Sequence, residues 1–251
     1  MRGYDILGNI AVVKFARGEK RKKEQAERFL KEHGSVTTVL EKTGRFKGRL
    51  RVLKTQYLAG IKTKEVLYRE NGCVFRFHID KCYFSPRLAN ERLMLAKKIS
   101  KKEKVLVLFG GVGPFAIVIA KFAKPSRVVS VELSRACQKY AEENVKRNKV
   151  NVELIQGDVH KVLPKMREMY DRIIMARPNL QDSFLDVAFQ RIKKGMIHYY
   201  GFYEEDSLAK LRTLLEVEAK KAKKKIKILR IEKAGDIGAY MYRYRANVKV
   251  L

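Results

Sequence analysis

The sequence predicts an α/β protein in which a small α+β domain, residues 1–80, precedes a larger domain, residues 81–251, with a mostly parallel sheet. Two observations support this prediction for the larger domain. Apolar runs of strand type alternate with helical patterns, and a glycine-rich turn joins one strand to the next helix. A third observation separates the smaller domain, where two apolar runs meet at an Asn-Gly pair that favours a tight hairpin turn.

The smaller domain is predicted to hold a strand, a helix, a second strand and a hairpin. In chain order these are residues 10–15, 20–33, 36–40, 66–68 and 73–79. The helix carries its apolar side chains at helical spacing among charges, and Gly34 ends it. A basic stretch, residues 45–54, lies between the second strand and the hairpin.

The larger domain is predicted to alternate helices with strands. The helices are residues 88–99, 114–122, 134–148, 182–192 and 205–225. The strands between them are residues 105–109, 127–132, 152–156, 171–175 and 195–200. No helix separates the last two strands, residues 227–232 and 242–250, so we expect them to pair antiparallel and close the sheet edge.

Charge gives the first indication of a partner. The chain of 251 residues has 56 Lys and Arg against 27 Asp and Glu, a formal net charge of +29. A compact fold with this charge repels itself unless polyanions are near, which indicates nucleic acid. Because 46% of the residues are hydrophobic, a disordered basic tail is excluded. A thermophile surface rich in Lys and Glu would also account for part of the charge.

Several classes of protein are excluded by simple patterns. The sequence contains no run of about 18 apolar residues, the length that a membrane-spanning helix requires. The first residues are not followed by a long apolar region of the kind that marks a signal peptide. The three cysteines form no CxxC pair, which argues against a zinc site or a disulfide framework. We therefore expect a cytoplasmic protein without a metal site.

The turn after the first strand of the larger domain predicts a ligand site. Residues 105–115 comprise an apolar strand, the turn Gly110-Gly111-Val112-Gly113 and the start of a helix. Gly111 and Gly113 let the backbone approach a ligand, and the helix offers free N–H groups at its first turn. The G-G-x-G spacing matches neither the dinucleotide fingerprint nor the phosphate-binding P-loop.

Acidic residues at two further strand ends indicate which ligand fits. Glu132 ends the next strand, where a carboxylate accepts hydrogen bonds from ribose hydroxyls. Asp158 follows the third strand and is placed to meet an adenine amino group. The glycine turn and the two acids together resemble the class I, Rossmann-like methyltransferase fold that binds S-adenosylmethionine.

Four strings of residues narrow the resemblance to one family. They are Tyr4-Asp5-Ile6-Leu7-Gly8-Asn9-Ile10-Ala11, residues 83–92 with Ser85-Pro86-Arg87-Leu88, residues 109–115, and Ile197-His198-Tyr199-Tyr200. Together they resemble the archaeal and eukaryotic tRNA (guanine-37, N1) methyltransferases and their wybutosine-pathway relatives. The resemblance covers nearly the whole chain. On this resemblance, we expect the chain to lack the additional small N-terminal domain that many members carry.

The resemblance implies a cofactor, a partner and a reaction. The cofactor would be S-adenosylmethionine, and the partner the anticodon loop of tRNA, held with the help of an RNA-positioning domain at residues 1–80. Methyl would be transferred to N1 of guanosine 37 or of a wyosine-type derivative, by a protein expected to be monomeric. The residues expected to bind cofactor are Arg92, Phe109, Gly111, Gly113, Glu132, Leu133, Asp158 and Val159.

The resemblance also implies three catalytic positions. N1 of guanine carries a proton at neutral pH, so a base must remove it, and a donor near O6 would stabilise the developing charge. Glu91 matches the family's general base, although a first-helix acid in an i,i+4 ion pair would look the same. Arg51 matches the arginine at O6, with Arg49 as the alternative. Pro178 matches the proline of an Asn-x-Pro turn.

Two departures from the family pattern keep alternatives open. Val107 stands where many such enzymes have Asp, and Ala176 stands where Asn would hold the target base. The aminocarboxypropyl-transferring relatives also lack this Asn, so transfer of that group is one alternative. Against it, Ile197-His198-Tyr199-Tyr200 is closer to the methyltransferase version. A non-enzymatic RNA-binding descendant with a degraded site is the other alternative.

Overall fold

A computed structural model describes residues 1–44, 53–177, 180–238 and 240–251 of the chain. The chain divides into two compact units, Met1–Pro86 and Arg87–Leu251. Among the described residues, no helix is both long and apolar enough to span a membrane.

The first unit contains a four-stranded sheet covered by one helix. Its elements are β1 Gly3–Leu7, β2 Ile10–Lys14, α1 Lys22–Glu32, β3 Thr38–Lys42 and β4 Thr55–Gly60. The strand order is β1-β2-β3-β4, with β2 and β3 parallel and the outer pairs antiparallel. Ala26 and Phe29 lie on the buried side of α1. They pack against apolar side chains of β2, β3 and β4 in one small core.

The predicted hairpin follows the sheet in the same unit. Strands β5 Glu65–Glu70 and β6 Cys73–His78 pair antiparallel, with Glu70 opposite Cys73. Asn71 and Gly72 form the turn with φ angles of 47° and 61°. Two successive positive φ angles are what the tightest hairpin turn requires, and Asn-Gly is the pair that adopts them most readily. The hairpin prediction is confirmed.

The second unit is a seven-stranded sheet with helices between its strands. Its helices are α2 Ala89–Lys97, α3 Pro114–Phe122, α4 Arg135–Asn148, α5 Val159–Val162, α6 Leu185–Phe189 and α7 Leu208–Lys221. Its strands are β7 Lys104–Leu108, β8 Arg127–Glu132, β9 Glu153–Gln156, β10 Arg172–Met175, β11 Gly195–Glu204, β12 Ile226–Gly238 and β13 Met241–Val250. The predicted fold class, α/β with a Rossmann-like sheet, is confirmed.

The order of the strands places the carboxyl ends of β7, β8 and β9 side by side. The sheet runs β12-β13-β11-β10-β7-β8-β9, and the five strands from β11 to β9 are parallel. The order reverses between β7 and β10, which is where ligands bind in open α/β sheets. As predicted, β12 and β13 pair antiparallel and close the other edge.

One face of the sheet carries the main apolar core. Along β11 and β13, residues of this core alternate with residues that lie outside it. Ile197 and Tyr199 on β11 and Ala246 and Val248 on β13 pack with α6 and α7 in this core. Because side chains alternate between faces, the intervening residues of β11 and β13 point to the opposite face of the sheet. That opposite face is polar there, and it is also buried.

The structure differs from the prediction mainly in its short and exposed elements. Strand β1 was not predicted, because its residues are exposed apart from the last and show no alternation of burial. Helix α6 spans five residues instead of the predicted 182–192. Phe184, with φ 59°, interrupts the helical backbone immediately before α6, and a right-handed helix cannot continue through such a residue.

Candidate active site

The glycine turn lies between β7 and α3 and has the backbone conformation that glycine permits. Gly111 has φ 57°, and Gly113 has φ 88° as the residue before Pro114, the first residue of α3. A Cβ atom on Gly110 would lie 2.1 Å from the hydroxyl oxygen of Ser130 on the neighbouring strand. The turn therefore needs glycine for two reasons, left-handed backbone and close packing on β8.

Glu132, at the end of β8, accepts hydrogen bonds from the glycine turn and from the turn that follows β8. One carboxylate oxygen accepts a hydrogen bond of 2.7 Å from the Gly111 N–H, and the other accepts one of 2.7 Å from the Ser134 N–H. Burial raises the pKa of Glu132, against the effect of the Ser134 and Gly111 amides. The half-buried carboxylate thus stands at the strand end with its two oxygens held in fixed directions.

The end of β9 contributes the third turn. The Gly157 N–H donates 2.8 Å to the carbonyl of Glu132, and Asp158 then caps α5 by accepting 3.0 Å from the His160 N–H. Leu133 is half-buried, and its carbonyl accepts 3.0 Å from the Gln156 side chain. The sequence-predicted residues at the ends of β7, β8 and β9 thus lie at one edge of the sheet.

Two aromatic residues with strained backbones border the same edge. Phe109 has φ 60° and Phe184 φ 59°, values that are rare for bulky residues. Their rings meet edge to face with centroids 4.9 Å apart, and Phe184 also lies 4.9 Å from the His160 ring. Strained conformations of this kind cluster at ligand sites. Val159, in contrast, is buried in the main core.

Glu91 lies in the first turn of α2 and is only 6% exposed. Its Oε1 atom accepts a hydrogen bond of 2.7 Å from the Tyr200 hydroxyl and a charged hydrogen bond from the Arg245 guanidinium. The i,i+4 surface pair considered from the sequence is therefore not what holds Glu91. Its ion-pair partner is 154 residues away in the chain.

Phe115, in the first turn of α3, connects this carboxylate with the glycine turn. Its ring centroid lies 5.7 Å from the Tyr200 ring, and the Arg92 guanidinium lies 5.7 Å from the same centroid. Arg92 is itself 1% exposed. Arg92 thus lies against the aromatic side chain that follows the glycines, and Glu91 is connected to that side chain through Tyr200.

Arg245 is the central residue of a buried polar cluster on the sheet face opposite the apolar core. It lies opposite Tyr200 on β11 and opposite Glu232 on β12 in the strand registers. Its guanidinium donates to Glu91 and Glu232, and its Nε donates 3.0 Å to the Asn247 side-chain oxygen. We call Glu91, Tyr200, Glu232, Arg245 and Asn247 the Arg245 cluster.

His198 adjoins the Arg245 cluster and is held in one tautomer. Arg172 can only donate, so its 2.7 Å contact makes the His198 Nε2 an acceptor. The Nδ1 therefore carries the proton and donates 2.7 Å to the Asn247 oxygen. Burial, and then the charge of Arg172, lowers the pKa of His198 to about 3. His198 is therefore a neutral, buried side chain inside β11.

Arg177 stabilises the chain after β10. It is buried, its guanidinium donates to the carbonyls of Leu180 and Asp182, and it lies 5.5 Å from the Tyr199 ring centroid. Ala176 is half-buried and Val107 is buried inside β7. The predicted catalytic residues Arg51 and Pro178, and the alternative Arg49, lie outside the described residues.

The sequence analysis missed Glu232, Arg245 and Asn247. In β13, polar side chains alternate with Tyr244, Ala246 and Val248. That alternation usually indicates a sheet with one solvated face. These three residues could have been identified from the position of β13 inside the sheet. In that position the polar face of β13 is not solvated, because helix α2 brings Glu91 to it.

Comparison with known proteins identifies the family. The model of the TRM5/TYW2 methyltransferase domain matches residues 66–229. The chain belongs to the TRM5/TYW2 methyltransferase family. The resemblance inferred from the sequence is thereby confirmed.

Two curated relatives illustrate the range of this TRM5/TYW2 family. The tRNA (guanine(37)-N(1))-methyltransferase Trm5b of Pyrococcus abyssi is 38% identical over 80% of this chain, and the match spans 60% of that protein. The tRNA (guanine(37)-N(1))/4-demethylwyosine(37)-methyltransferase Taw22 of Nanoarchaeum equitans is 30% identical over 99% of both chains. Among solved structures, Trm5b from Pyrococcus abyssi superposes with a TM-score of 0.87 at 33% identity, covering 99% of this chain and 75% of that one.

Proposed function

We propose that this chain transfers methyl from S-adenosylmethionine to N1 of guanosine 37 in tRNA, or of its wyosine-type derivative. The observation that carries the proposal is the buried Glu91 carboxylate, at the position where the family string places a base. It is hydrogen-bonded to Tyr200, whose ring packs on Phe115 just after the glycine turn. The Taw22 relative, which aligns over the full chain, is named for both acceptors. A structure described as a complex of aTrm5 with tRNA-Leu, 25% identical with a TM-score of 0.84, supports tRNA as the partner.

The residues at the sheet edge fit S-adenosylmethionine. When bound, this cofactor supplies a methyl group that is already activated on a sulfonium. Glu132 would accept ribose hydroxyls, and Asp158 would accept from the adenine amino group. Gly111 and Gly113 leave the turn without side chains, and the aromatic ring of Phe109 offers an apolar surface. Arg92 and the backbone at Leu133 and Val159 complete the proposed set.

Glu91 would take the N1 proton of guanine. A carboxylate removes that proton as the nitrogen lone pair becomes a bond to the methyl group, and the proton ends on Glu91. N1 lies on the pairing edge of the base, so the guanine must be unpaired and turned outward, as in an anticodon loop. Arg51 at O6, and Pro178 at the position of the family's Asn-x-Pro proline, belong to the same proposal.

The test is a methylation assay with nucleoside analysis. Purified protein, cofactor labelled in the methyl group and an unmodified tRNA transcript should yield labelled 1-methylguanosine, identified by mass spectrometry at position 37. Absence of any modified guanosine in wild-type reactions would refute the proposal. Calorimetry without detectable S-adenosylmethionine binding would instead favour the non-enzymatic RNA-binding alternative.

Aminocarboxypropyl transfer is the second candidate, and Ala176 is the observation that favours it. Alanine offers no side-chain hydrogen bond where the methyltransferases have Asn. A relative from Methanocaldococcus jannaschii, named as a tRNA(Phe) (4-demethylwyosine(37)-C(7)) aminocarboxypropyltransferase, is 31% identical over 78% of this chain. The label decides between the two, because aminocarboxypropyl transfer leaves the labelled methyl on methylthioadenosine and none on RNA.

A further inference from the structure

The Arg245 cluster contains one cation between two carboxylates. Arg245 is 1% exposed, and its guanidinium donates to Glu91 through one terminal nitrogen and to Glu232 through the other. Arginine keeps its charge in proteins, so this cation must stay paired whatever the neighbouring groups do. A buried cation that loses its partner is strongly destabilised.

Among the described residues, the neighbours of Glu91 offer few other charges that could compensate the charge of Arg245. From β11 it faces the Tyr200 hydroxyl, whose pKa is raised well above its ordinary value by burial and then by Glu91, so it stays neutral. His198, further along the same strand, is neutral because burial and Arg172 lower its pKa. Phe115, which packs on Tyr200 from α3, is apolar. On α2 itself, Arg92 points to the Phe115 ring, and Lys98, which follows the last residue of α2, is exposed.

Glu232 differs from Glu91 in how it is held. It is bonded by Arg245 and by the Asn247 side-chain amide at 2.9 Å, and its side chain is 27% exposed. These two donors, together with the Arg245 charge, hold the pKa of Glu232 below its ordinary value although burial opposes them. The two donors therefore favour the charged form of Glu232.

We propose that Glu232 is a positioning residue for the base: it keeps Arg245 paired when Glu91 takes a proton, and so lets Glu91 accept one. With Glu232 present, the two carboxylates and Arg245 carry a net charge of about −1 before proton transfer and about 0 after it. Without Glu232 the same step would leave a buried, unpaired cation. This inference rests on the proposed role of Glu91 as the base.

Asn247 orients this arrangement. Its oxygen accepts from His198 and from Arg245, and its amide nitrogen donates to Glu232. Since the tautomer of His198 is set by Arg172, the direction of the Asn247 amide is set as well. The Glu232 carboxylate is thereby held on the side of Arg245 that faces away from Glu91.

The test compares three variants with the wild type. Glu232→Gln keeps the shape and an oxygen acceptor but removes the charge, Glu232→Asp keeps the charge, and Asp236→Asn removes an acid from the same strand. Asp236 is paired with Lys233, so it is a matched control outside the Arg245 cluster. For Glu232→Gln we expect the single-turnover rate of methyl transfer to fall about tenfold. The acidic limb of its pH–rate profile should be displaced to lower pH. Affinity for tRNA and cofactor should be unchanged. Asp236→Asn should behave like wild type, and Glu232→Asp should recover most of the transfer rate that Glu232→Gln loses.

A second readout does not depend on turnover. With carbon-13 in the glutamate carboxyl groups, the Glu91 signal is assigned by its loss in Glu91→Gln and followed during a pH titration. We expect it to titrate at lower pH in Glu232→Gln than in wild type or Glu232→Asp. The inference would be overturned if the Glu91 signal titrated at the same pH or at a higher pH in Glu232→Gln than in wild type. It would also be overturned if the Glu91 signal in Glu232→Asp titrated at the same pH as in Glu232→Gln. If wild type transfers no methyl, the proposed function fails, while the titration still tests the charge coupling.

Discussion

Glu91 is the residue whose removal best separates catalysis from binding. It is held by two donors at Oε1, and Gln keeps an oxygen that can accept from both. Glu91→Gln should therefore fold and bind tRNA nearly as wild type does. Turnover should fall by at least about 10²-fold, because an amide cannot take the N1 proton.

Glu216→Gln provides a matched control, since Glu216 is exposed on α7. Turnover is measured under single-turnover conditions and tRNA affinity by filter binding. A loss of affinity as large as the loss of turnover would contradict the role of Glu91 as the base.

His198 predicts how stability depends on pH. Its pKa is lowered to about 3 in the folded chain, by burial and then by Arg172, so it stays neutral where the unfolded chain takes up a proton. The unfolded state thus binds more protons between about pH 6.5 and about pH 3, and stability falls as pH falls through this range. His198 accounts for up to about 1.4 kcal/mol of that loss for each pH unit.

His198→Gln should flatten this dependence, although it also loses part of the bonding to Arg172 and Asn247. The free energy of unfolding, from denaturant titrations at several pH values, measures the slope in each protein. Equal slopes for wild type and variant between neutral pH and about pH 4 would mean that His198 is protonated in the folded state.

Residues that end strands were predictable from the sequence, whereas residues that meet across strands were not. Glu132 and Asp158 follow apolar runs, so their shared sheet edge follows from the alternation of strands and helices alone. Glu232 and Arg245 come together only through strand register and the position of α2. A sequence pattern gives the face on which a side chain lies, but not what covers that face.

At the scale of elements, the same distinction separates β8 from β1 and α6. Strand β8 is a buried apolar run and was predicted at its observed bounds, Arg127–Glu132. Strand β1 is exposed and α6 has five residues, so neither leaves a strong periodic signal. Long amphipathic elements are specified locally, while short ones depend on the neighbours that stabilise them.

The junction between β7 and α3 yields a prediction of its own. Gly113 has φ 88°, and an added Cβ would lie 3.0 Å from the Ile117 side chain. Gly113→Ala should cost about 1–2 kcal/mol from the left-handed backbone alone. It should also weaken cofactor binding, because the turn that presents the α3 amides is displaced.

Gly3→Ala is the matched control, since no atom of the other described residues would lie within 4 Å of a Cβ added to Gly3. Thermal unfolding and calorimetry with S-adenosylhomocysteine measure the two effects. Full stability with full affinity in Gly113→Ala would contradict the requirement for glycine in the turn.

At the scale of the whole molecule, the net charge of +29 predicts a strong dependence of tRNA binding on salt. Each phosphate neutralised by Lys or Arg releases counterions, with a slope of about −0.7 to −0.9 in log affinity against log salt. We expect a slope steeper than about −3, because a folded tRNA presents many phosphates to a basic surface. Filter binding across a salt series gives this slope directly. A flat response would assign the charge to a thermophile-type surface and leave the tRNA proposal to the family relationship alone.

The same measurement can locate the surface that holds the RNA. Lys20 and Arg21 are exposed just before α1, and Lys220 and Lys223 are exposed at the end of α7. Replacing each pair by Gln removes the same charge from a different place. A pair that contacts phosphates should reduce the slope by about 1.4 to 1.8, since two counterion-releasing contacts are lost. Replacing a pair that lies away from the RNA should leave the slope unchanged. It should weaken the long-range attraction to the RNA as much as replacing the other pair does, because the same charge is removed. If both pairs leave the slope unchanged, neither surface contacts phosphate, and the basic residues elsewhere in the chain must hold the tRNA.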